Sequence, residues 1–585
     1  MTTATELQDA ATAMPAGEFA ISERLRVVLL LGVTLAVYAN ALLNGFAFDD
    51  NLYILSDPRV TNPSLGGLFA ATKYANVFRP ATFGSFALDW AIAGSHAFFY
   101  HLVNVLLHAG VTLLLYFLLR KLLANVQRGA LIAWAAALIF AVHPIHTEAV
   151  TAISGRAELL AVGFVLAAWL LHLEDRPTAA LLCFVIAMLS KESAVVFAPL
   201  VVLTDYAQNR LKNISRYAWI GAVTLAYLAA LRYAQGGHFG EKSVSFLDNP
   251  LAHFPANLRI LNALRIAWRY VGLLVYPATL SSDYSYNAIT LYAKWRYGIV
   301  ALAATLLVVG LWLWAMWTKR TMWALAGTLY LVGFSVTANI LVPTGTIMGE
   351  RLAYLPSAGF CLLLALLWVR LEERSRTIAW VALALVIAAL SGRTIARNRD
   401  WRNNDTLSAA DVKAAPGSAK MHANMAAQYY YRNDVEAAGR EAKTALRIYP
   451  DLADAMGCLA LVEARNGNDQ SARELLEKAL KNTLPTNPNY DFMSINLAAV
   501  LMKLGDYNQA LAVLNEEIEK SSGLSKASPG LSRAWSNRAV IYYQQGQTEK
   551  ARSDAETAVR MDSQNAQAQS LLGLLGQNGA TVAQP

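Results

Sequence analysis

Residues 27–51 read VVLLLGVTLAVYANALLNGFAFDDN, a largely apolar run that ends in two adjacent carboxylates. The part from 27 to 43 is long enough to enter a hydrocarbon core of about 30 Å as a helix. Asp49 and Asp50 then emerge at the bilayer surface, where an ionised carboxylate costs far less than at the membrane centre. The pair is therefore available for chemistry, although acidic residues can also simply mark the point at which a helix leaves the lipid.

The composition divides the chain into two unlike parts. It has 585 residues, 56% hydrophobic and 15% charged. Up to about residue 390 it is a series of apolar runs of roughly spanning length, and beyond that point it is polar. The net charge of +8 predicts no nucleic-acid partner, because Lys and Arg concentrate in the short loops that set membrane orientation. Cys183, Cys361 and Cys458 predict no disulfide framework.

Charges between the apolar runs predict how the chain crosses the membrane. Arg24 and Arg26 precede the first run, which places residues 1–22, a predicted disordered tail, in the cytoplasm and Asp49 outside. The pattern predicts about eleven spans and puts the polar C-terminal part outside as well. The spans lie near 27–43, 101–119, 131–142, 158–173, 178–189, 194–206, 217–231, 297–317, 322–341, 358–369 and 378–390.

The run at 261–280 does not fit this count. If it crossed, the next span would leave Lys319 and Arg320 outside, against the charge bias. It is also interrupted by Arg265 and Arg269. We therefore predict a re-entrant or interfacial helix on the outer side.

A helical repeat begins at residue 419, where small, apolar and proline positions recur with a period near 34 residues. Four units are recognisable, and the gaps between the later ones are longer. Small residues let the two helices of a unit pack closely, and stacked units leave a concave groove. The predicted fold is all-α, with a polytopic membrane domain at 23–392, a linker and docking helix at 393–418, a tetratricopeptide solenoid at 419–575 and a disordered tail at 576–585.

Polar side chains gather in the loops of the outer face, which indicates a site beside the lipid. Arg156, Lys191 and Arg351 each fall at the outer end of a span, where a lipid phosphate would lie, and snorkelling to the interface is their alternative role. The complete set is His143, His146, Glu148, Arg156, Lys191, Glu192, Glu350 and Arg351. Glu192 and Glu350 also have the alternative of pairing with the cations beside them.

Three of these residues raise the question of a metal. His143, His146 and Glu148 offer three ligand types within six residues. Pro144 interrupts any helix that would align them, which favours hydrogen bonding over coordination. We predict no metal and no cofactor.

Motifs along nearly the whole chain resemble a known family, the transmembrane and tetratricopeptide-repeat-containing O-mannosyltransferases. The resembling segments are FDDN at 48–51, HPIHTEAV at 143–150, GRAELL at 155–160, SKE at 190–192, LSSDYS at 280–285, ERLAYLPSAGF at 350–360 and NRDWR at 398–402. The chain departs from the animal members in having about four repeats. The resemblance implies the GT-C fold and an inverting transfer of a sugar, with mannose one possibility, from a polyprenyl phosphate to an acceptor hydroxyl.

The same resemblance assigns roles within the outer loops. In the GT-C fold the base comes from the first external loop, which implies Asp49 or Asp50; adjacent carboxylates titrate as a pair, so the choice between them stays open. Arg351, Lys191 and Arg156 are expected to bind the donor phosphate. His143, His146, Glu148, Glu192 and Glu350 are expected to support them.

The expected partners are the bilayer, the polyprenyl-phosphate sugar and a protein whose Ser or Thr is presented by the repeats. The expected location is a bacterial inner membrane with periplasmic repeats, or the luminal side of the endoplasmic reticulum. A polytopic scaffold that assembles envelope proteins is the main alternative, but an anchor needs only one span. A transporter would place ionisable residues near the middle of several spans, and here they lie mainly at the ends.

Overall fold

The chain folds as helices. The computed structural model describes residues 22–70, 77–211, 214–236, 244–485, 487, 489–521 and 529–581, and no strand occurs within them, which confirms the predicted all-α class. In the first part, the helices of more than ten residues are α1 Glu23–Tyr38, α2 Pro80–Ala93, α3 Ala97–Leu122, α4 Gly129–Val142, α5 Arg156–Leu173, α6 Pro177–Ser190, α7 Phe197–Ala207, α8 Ile214–Ala234, α9 Ala256–Val275, α10 Ile299–Trp317, α11 Thr321–Ser335, α12 Pro356–Arg374 and α13 Arg376–Asp400.

Several of these helices are long and apolar enough to cross a membrane, in keeping with a multi-pass protein. By length and composition, five within the described residues qualify: α1 with its extension to Leu43, α3, α5 with the turn before it, α10 and α13. A sixth is added if α4 and Pro144–Val150, which are bent by 55°, count as one span. Helices α6 and α11 are apolar but shorter. The predicted count of about eleven is not confirmed.

Helix α4 forms the centre of the membrane part. Every residue from 132 to 142 is buried, and α4 packs against α1, α3, α12 and α13. A helix that is apolar on all sides is expected inside such a bundle. Small residues permit close approach elsewhere too, since a Cβ at Gly359 of α12 would lie 2.4 Å from the Ala326 carbonyl oxygen of α11. This packing fixes where the loops at the helix ends meet.

Several boundaries differ from the sequence predictions. Helix α2 is absent from them, because the apolar stretch at 80–93 is too short to span a membrane. Helix α9 ends at Val275, before Pro277, which cannot donate a backbone hydrogen bond. Helix α11 ends six residues short of the predicted 341. Helix α13 runs unbroken through the predicted domain boundary at 392, because a polar sequence without proline can stay helical after leaving the lipid.

The polar part is a solenoid of paired helices that follows α14 Asn404–Ala414. The pairs are α15 Ala419–Tyr431 with α16 Val435–Ile448, α17 Ala453–Arg465 with α18 Asp469–Lys481, α19 Tyr490–Lys503 with α20 Tyr507–Ser521, and α21 Pro529–Gln544 with α22 Thr548–Met561; α23 Ala566–Thr581 follows. The predicted tetratricopeptide solenoid is confirmed. Helix α23 includes residues 576–581, where a disordered tail is predicted; 582–585 and the predicted tail at 1–21 lie outside the described residues.

The turn inside each helix pair has the same backbone conformation. One residue per unit lies in the left-handed region, with φ between 66° and 81°: Asn433, Gly467, Gly505 and Gly546. Glycine adopts this region without a steric penalty and asparagine with a small one. The repeat is therefore encoded in its turns as well as in its packed small residues.

The first repeat is bound to two segments of the membrane part, one before α9 and one after it. The Ala419 N–H donates to the Tyr286 carbonyl oxygen at 3.0 Å. Lys420 of α15 pairs with Asp248 at 2.5 Å. Because both contacts join residues at the very start of α15, the solenoid is held next to the segments before and after α9.

Candidate active site

A cavity of about 440 Å³ opens where the loops next to α2, α5, α6 and α12 meet. Its apolar wall includes Phe78, Phe83, Phe86, Leu231, Val336 and Leu352. Its charged lining consists of Asp49, Arg79, Glu158, Lys191, Glu192 and Arg351. A concave site that combines apolar walls with a few convergent charges is the expected place for a ligand.

The backbone before Asp49 is held in an unusual conformation. Phe48 has a φ of 54°, which is costly for a side chain of this size. Its N–H donates to Asn404 Oδ1, at the start of α14, at 2.7 Å. The Asp49 carbonyl oxygen accepts from the Tyr53 N–H at 2.9 Å and so begins the next helical turn. These contacts fix the position of Asp49 in the cavity wall.

The Asp49 carboxylate is positioned to accept a proton. No residue among the described ranges donates a hydrogen bond to this carboxylate, so its oxygens have no hydrogen-bond donor from that part of the protein. Burial raises the pKa of Asp49, and the positive charges of Arg351, Lys420 and Arg79 act against this rise. Its pKa therefore lies above the ordinary aspartate value, which suits a general base better than an unperturbed carboxylate does.

Asp50 has a different environment. Its carboxylate is buried and accepts from three backbone N–H groups, those of Ser154 at 2.7 Å, Ala47 at 3.2 Å and Ile153 at 3.4 Å. Burial raises the pKa of Asp50 to about 6, and these hydrogen bonds limit the rise. Asp50 does not line the cavity. It ties the loop after α1 to the turn that precedes α5, so the structure separates two residues that the sequence leaves equivalent.

The cavity cations are each held by a carboxylate. The pairs are Arg351 with Glu148, Arg79 with Glu192, and Lys191 with Glu158. The backbone N–H of Arg351 also donates to the Glu148 carboxylate at 2.8 Å. Two side-chain nitrogens of Arg79 donate to Glu192, at 2.7 and 3.1 Å. Burial acts to raise the pKa of Glu192, but the ion pair with Arg79 outweighs it and lowers the pKa to about 2.

Solvent exposure ranks these cations as ligands for an anion. The side chain of Arg351 is 30% exposed and that of Arg79 21%, whereas that of Lys191 is 6% exposed. A guanidinium that donates to one carboxylate still has other N–H groups to offer. Arg351 and Arg79 can therefore bind a phosphate without leaving their ion pairs, and Lys191 contributes mainly its charge.

Arg156 does not lie in the cavity, contrary to the expected role in phosphate binding. It is fully buried and forms an ion pair with Asp89 of α2. Its Nε donates to Asn104 Oδ1 at 2.8 Å, and its Nη2 donates to the Tyr100 carbonyl oxygen at 3.0 Å. These partners lie on α2 and α3, so Arg156 joins three helices. The physical reason is that its countercharge lies on the helix that no sequence pattern predicts.

The histidines make hydrogen bonds in the interior. His143 Nδ1 accepts from the Ile145 N–H at 3.2 Å, so Nε2 donates to the Leu274 carbonyl oxygen at 2.9 Å. His146 Nε2 is 2.8 Å from Ser357 Oγ. No group of three or more metal-ligating side chains occurs in the part of the chain that the structure describes. His143 and His146 connect α4 to α9 and α12, at a distance from the cavity lining.

Glu350 faces the loop at 281–287 and not the cavity. Its Oε1 accepts from the Ser281 N–H at 2.6 Å and from the Tyr284 hydroxyl at 2.7 Å. Burial raises the pKa of Glu350 to about 8. The same loop binds the linker, since Ser282 N–H donates to Asp411 of α14 at 2.9 Å. Glu350 therefore connects the turn that carries Arg351 to the loop beneath the first repeat.

Two of the charged cavity residues are missing from the sequence predictions. Glu158 belongs to the GRAELL motif but is overlooked beside Arg156, and Arg79 is not predicted at all. Arg79 directly precedes Pro80, the first residue of α2. Proline at the start of an apolar stretch is typical of the first residue of a helix, and this signal could have identified α2 and the arginine before it.

Comparisons with known proteins point to one family. Residues 240–310 match the family described as protein O-mannosyl-transferase TMTC, and residues 424–488 and 491–564 match tetratricopeptide repeats. A protein O-mannosyl-transferase of Caenorhabditis elegans is 29% identical over 417 residues, 68% of this chain and 59% of that protein. Human TMTC3, also named a protein O-mannosyl-transferase, is 28% identical over 478 residues, which are 73% of this chain and 51% of that protein. The resemblance found in the motifs is thus confirmed.

The chain spans between 51% and 59% of the length of these two relatives. Among solved structures, that of MamA from Desulfovibrio magneticus RS-1 matches this chain with 25% identity and a TM-score of 0.23. The match covers 28% of this chain and 85% of the MamA chain.

Proposed function

We propose that this chain is a membrane glycosyltransferase of the GT-C type that moves a sugar from a polyprenyl phosphate to a hydroxyl of a protein. The observation that carries the proposal is that Asp49, Arg79, Lys191 and Arg351 line one cavity. The named activity of the relatives, protein O-mannosyl transfer, makes mannose the first sugar to test. The tetratricopeptide solenoid supports a protein acceptor, because such arrays present a groove to polypeptides.

The proposed reaction is a single displacement at C1 of the sugar. The acceptor oxygen forms a bond to C1 while the bond from C1 to the phosphate oxygen breaks, and the polyprenyl phosphate leaves with the electron pair. Attack from the opposite face inverts C1. Asp49 takes the hydroxyl proton, and a positioned base of this kind contributes roughly 10²–10⁴-fold.

The leaving phosphate gains a negative charge, which the cavity cations stabilise. Arg351 and Arg79 offer N–H groups to the phosphate oxygens, and Lys191 adds positive charge beside them. The phenylalanines of the wall exclude water from the same space, which strengthens each of these interactions. The sugar phosphate is then held with C1 between the phosphate and Asp49.

The test is transfer by the purified full chain in lipid nanodiscs. Radiolabelled polyprenyl-phosphate mannose is supplied with an acceptor protein and, separately, with a Ser/Thr peptide. We expect label in the acceptor, abolished in the Asp49→Asn variant and retained in Lys443→Gln, a control on the second helix of the first repeat. A chain that binds the acceptor protein but transfers neither mannose nor any other polyprenyl-linked sugar would favour the scaffold alternative.

A further inference from the structure

A second groove, distant in sequence from the catalytic cavity, lies between α9 and residues 289–296. Two separate cavities, of about 190 and 510 Å³, lie along it. The smaller is lined by Arg265, Ile266, Arg269, Ile289 and Leu291, and the larger by Asn257, Leu258, Ala293, Lys294, Trp295 and Arg296. We call this the basic groove. None of its residues lines the cavity that holds Asp49.

Among the residues that the structure describes, the four positive charges of the basic groove have no countercharge. Helix α9 contains three arginines and no Asp or Glu. Within the described residues, Arg265, Arg269, Lys294 and Arg296 form no ion pair. The three arginines contact an amide oxygen, a carbonyl oxygen, a tyrosine hydroxyl and aromatic rings. The acid nearest in sequence, Asp283, accepts from the Ser285 N–H at 2.9 Å and lies 3.9 Å from Lys420. The groove therefore attracts an anion.

The residues next to the groove indicate that it lies at the level of the membrane surface. Residues 293–297 directly precede α10, a candidate span of which only 11% is buried inside the protein. Trp295 and Tyr297 are largely exposed, as aromatic residues at the depth of lipid headgroups are. Helix α9 is joined to this span because Trp268 Nε1 donates to Thr305 Oγ1 of α10 at 3.0 Å.

One of the cations is already oriented. The Arg265 guanidinium stacks over the Tyr292 ring, 4.0 Å from its centroid, and its Nη1 donates to Asn262 Oδ1 at 3.3 Å. A guanidinium fixed in this way loses little freedom when it binds a ligand. Its remaining N–H groups match the tetrahedral oxygens of a phosphate.

We propose that the basic groove binds the phosphate groups of anionic phospholipids. The positive charges, the exposed aromatic residues and the adjoining lipid-facing span all favour a lipid headgroup as the ligand of the groove. Bound lipid would hold α9 and the loop at 281–287 against the membrane, next to the first repeat. This role is independent of sugar transfer and holds whether or not the chain is a transferase.

The experiment compares the full chain in nanodiscs of phosphatidylcholine and of phosphatidylcholine with phosphatidylglycerol, by hydrogen exchange of peptides covering 256–297. We expect slower exchange with phosphatidylglycerol and a return to the phosphatidylcholine rate at high salt. Lys294→Gln with Arg296→Gln, both on an exposed loop, should weaken the effect about fivefold for each charge removed. Adding Arg265→Gln and Arg269→Gln should abolish it.

The matched control is Arg440→Gln with Lys443→Gln on α16, which should leave the lipid dependence intact. Equal exchange in the two nanodiscs would overturn the proposal. So would protection produced in phosphatidylcholine by inorganic phosphate or by polyprenyl phosphate alone, because the site would then belong to a free anion or to the donor.

Discussion

At the scale of the residue, the structure distinguishes Asp49 from Asp50 by their hydrogen bonds. Three backbone N–H groups bind the Asp50 carboxylate, whereas no described residue donates to that of Asp49. A carboxylate already saturated by the backbone is a poor proton acceptor, and its removal leaves buried donors unsatisfied. The same carboxyl chemistry is therefore structural at one position and available for catalysis at the next.

The first prediction concerns this pair. Asp49→Asn should lower transfer by about two orders of magnitude or more at unchanged expression, as the loss of a general base implies. Asp50→Asn should instead lower the melting temperature and keep most of the activity per folded molecule. In the wild type, activity should fall with decreasing pH at values above the ordinary aspartate pKa, because the pKa of Asp49 is raised and the base works only when ionised. Full activity of Asp49→Asn would remove Asp49 from the mechanism.

The second prediction concerns Arg79. Arg79→Gln removes charged hydrogen bonds to the leaving phosphate, each worth about 1.5–3 kcal/mol, so transfer should fall roughly 10- to 150-fold. Arg79→Lys should recover part of the loss, since it restores the charge but not the two-nitrogen geometry. Transfer kinetics with varied donor concentration measure both. Arg399→Gln is the control, and wild-type kinetics for Arg79→Gln would show that its ion pair with Glu192 serves packing alone.

At the scale of the element, the site residues that could be predicted from the sequence are those next to helices that a hydropathy pattern reveals. Asp49, Lys191 and Arg351 follow or precede predicted helices, and they do line one cavity. Arg79 and the structural role of Arg156 were missed because both depend on α2, which is too short to register as a span. Helix α2 carries Asp89, the countercharge of Arg156, and forms one side of the cavity. Because α2 was not predicted, Arg156 was assigned to the wrong place and Arg79 was left out.

The third prediction tests the structural role of Arg156. Arg156→Gln leaves the buried Asp89 carboxylate without its countercharge, which should destabilise the fold by about 3–5 kcal/mol. Replacing both residues, Arg156→Met with Asp89→Leu, should recover much of this stability. Thermal unfolding in detergent measures it, alongside transfer per folded molecule at low temperature. A large loss of transfer at unchanged melting temperature would return Arg156 to the phosphate site.

The fourth prediction concerns Glu350 and the loop that it binds. The pKa of Glu350 is about 8 in the folded chain, well above the ordinary 4.5. At pH values between these two, the folded chain therefore keeps a proton that the unfolded chain has lost. The contribution of this carboxyl to the free energy of unfolding is therefore complete at low pH and falls as the pH rises, by at most about 1.4 kcal/mol per pH unit. Melting temperatures from pH 5 to 8 should decline more steeply for the wild type than for Glu350→Gln. Parallel curves would mean that Glu350 is ionised throughout.

At the scale of the whole molecule, the repeats and the membrane part are joined by specific contacts and not by a loose tether. Lys420 pairs with Asp248 of the segment before α9, and its charge also acts on Asp49. Asp411 of the linker helix accepts from Ser282 of the loop after α9. The sequence predicts a short linker but not this junction, because the paired residues are far apart in the chain and their contact depends on tertiary packing. The first repeat is thus part of the structure around the site.

The last prediction separates this structural role from delivery of the acceptor. A chain that ends at residue 452 keeps α15, α16 and Lys420 but loses the rest of the groove. Its KM for a protein acceptor should rise, because the groove no longer raises the local concentration of acceptor over Asp49, while transfer to a short Ser/Thr peptide stays near wild type. A chain that ends at 418 also loses Lys420, so transfer to the peptide should fall as well. If the 452-residue chain glycosylates whole protein as efficiently as the intact one, the repeats recruit some other partner and do not deliver the acceptor.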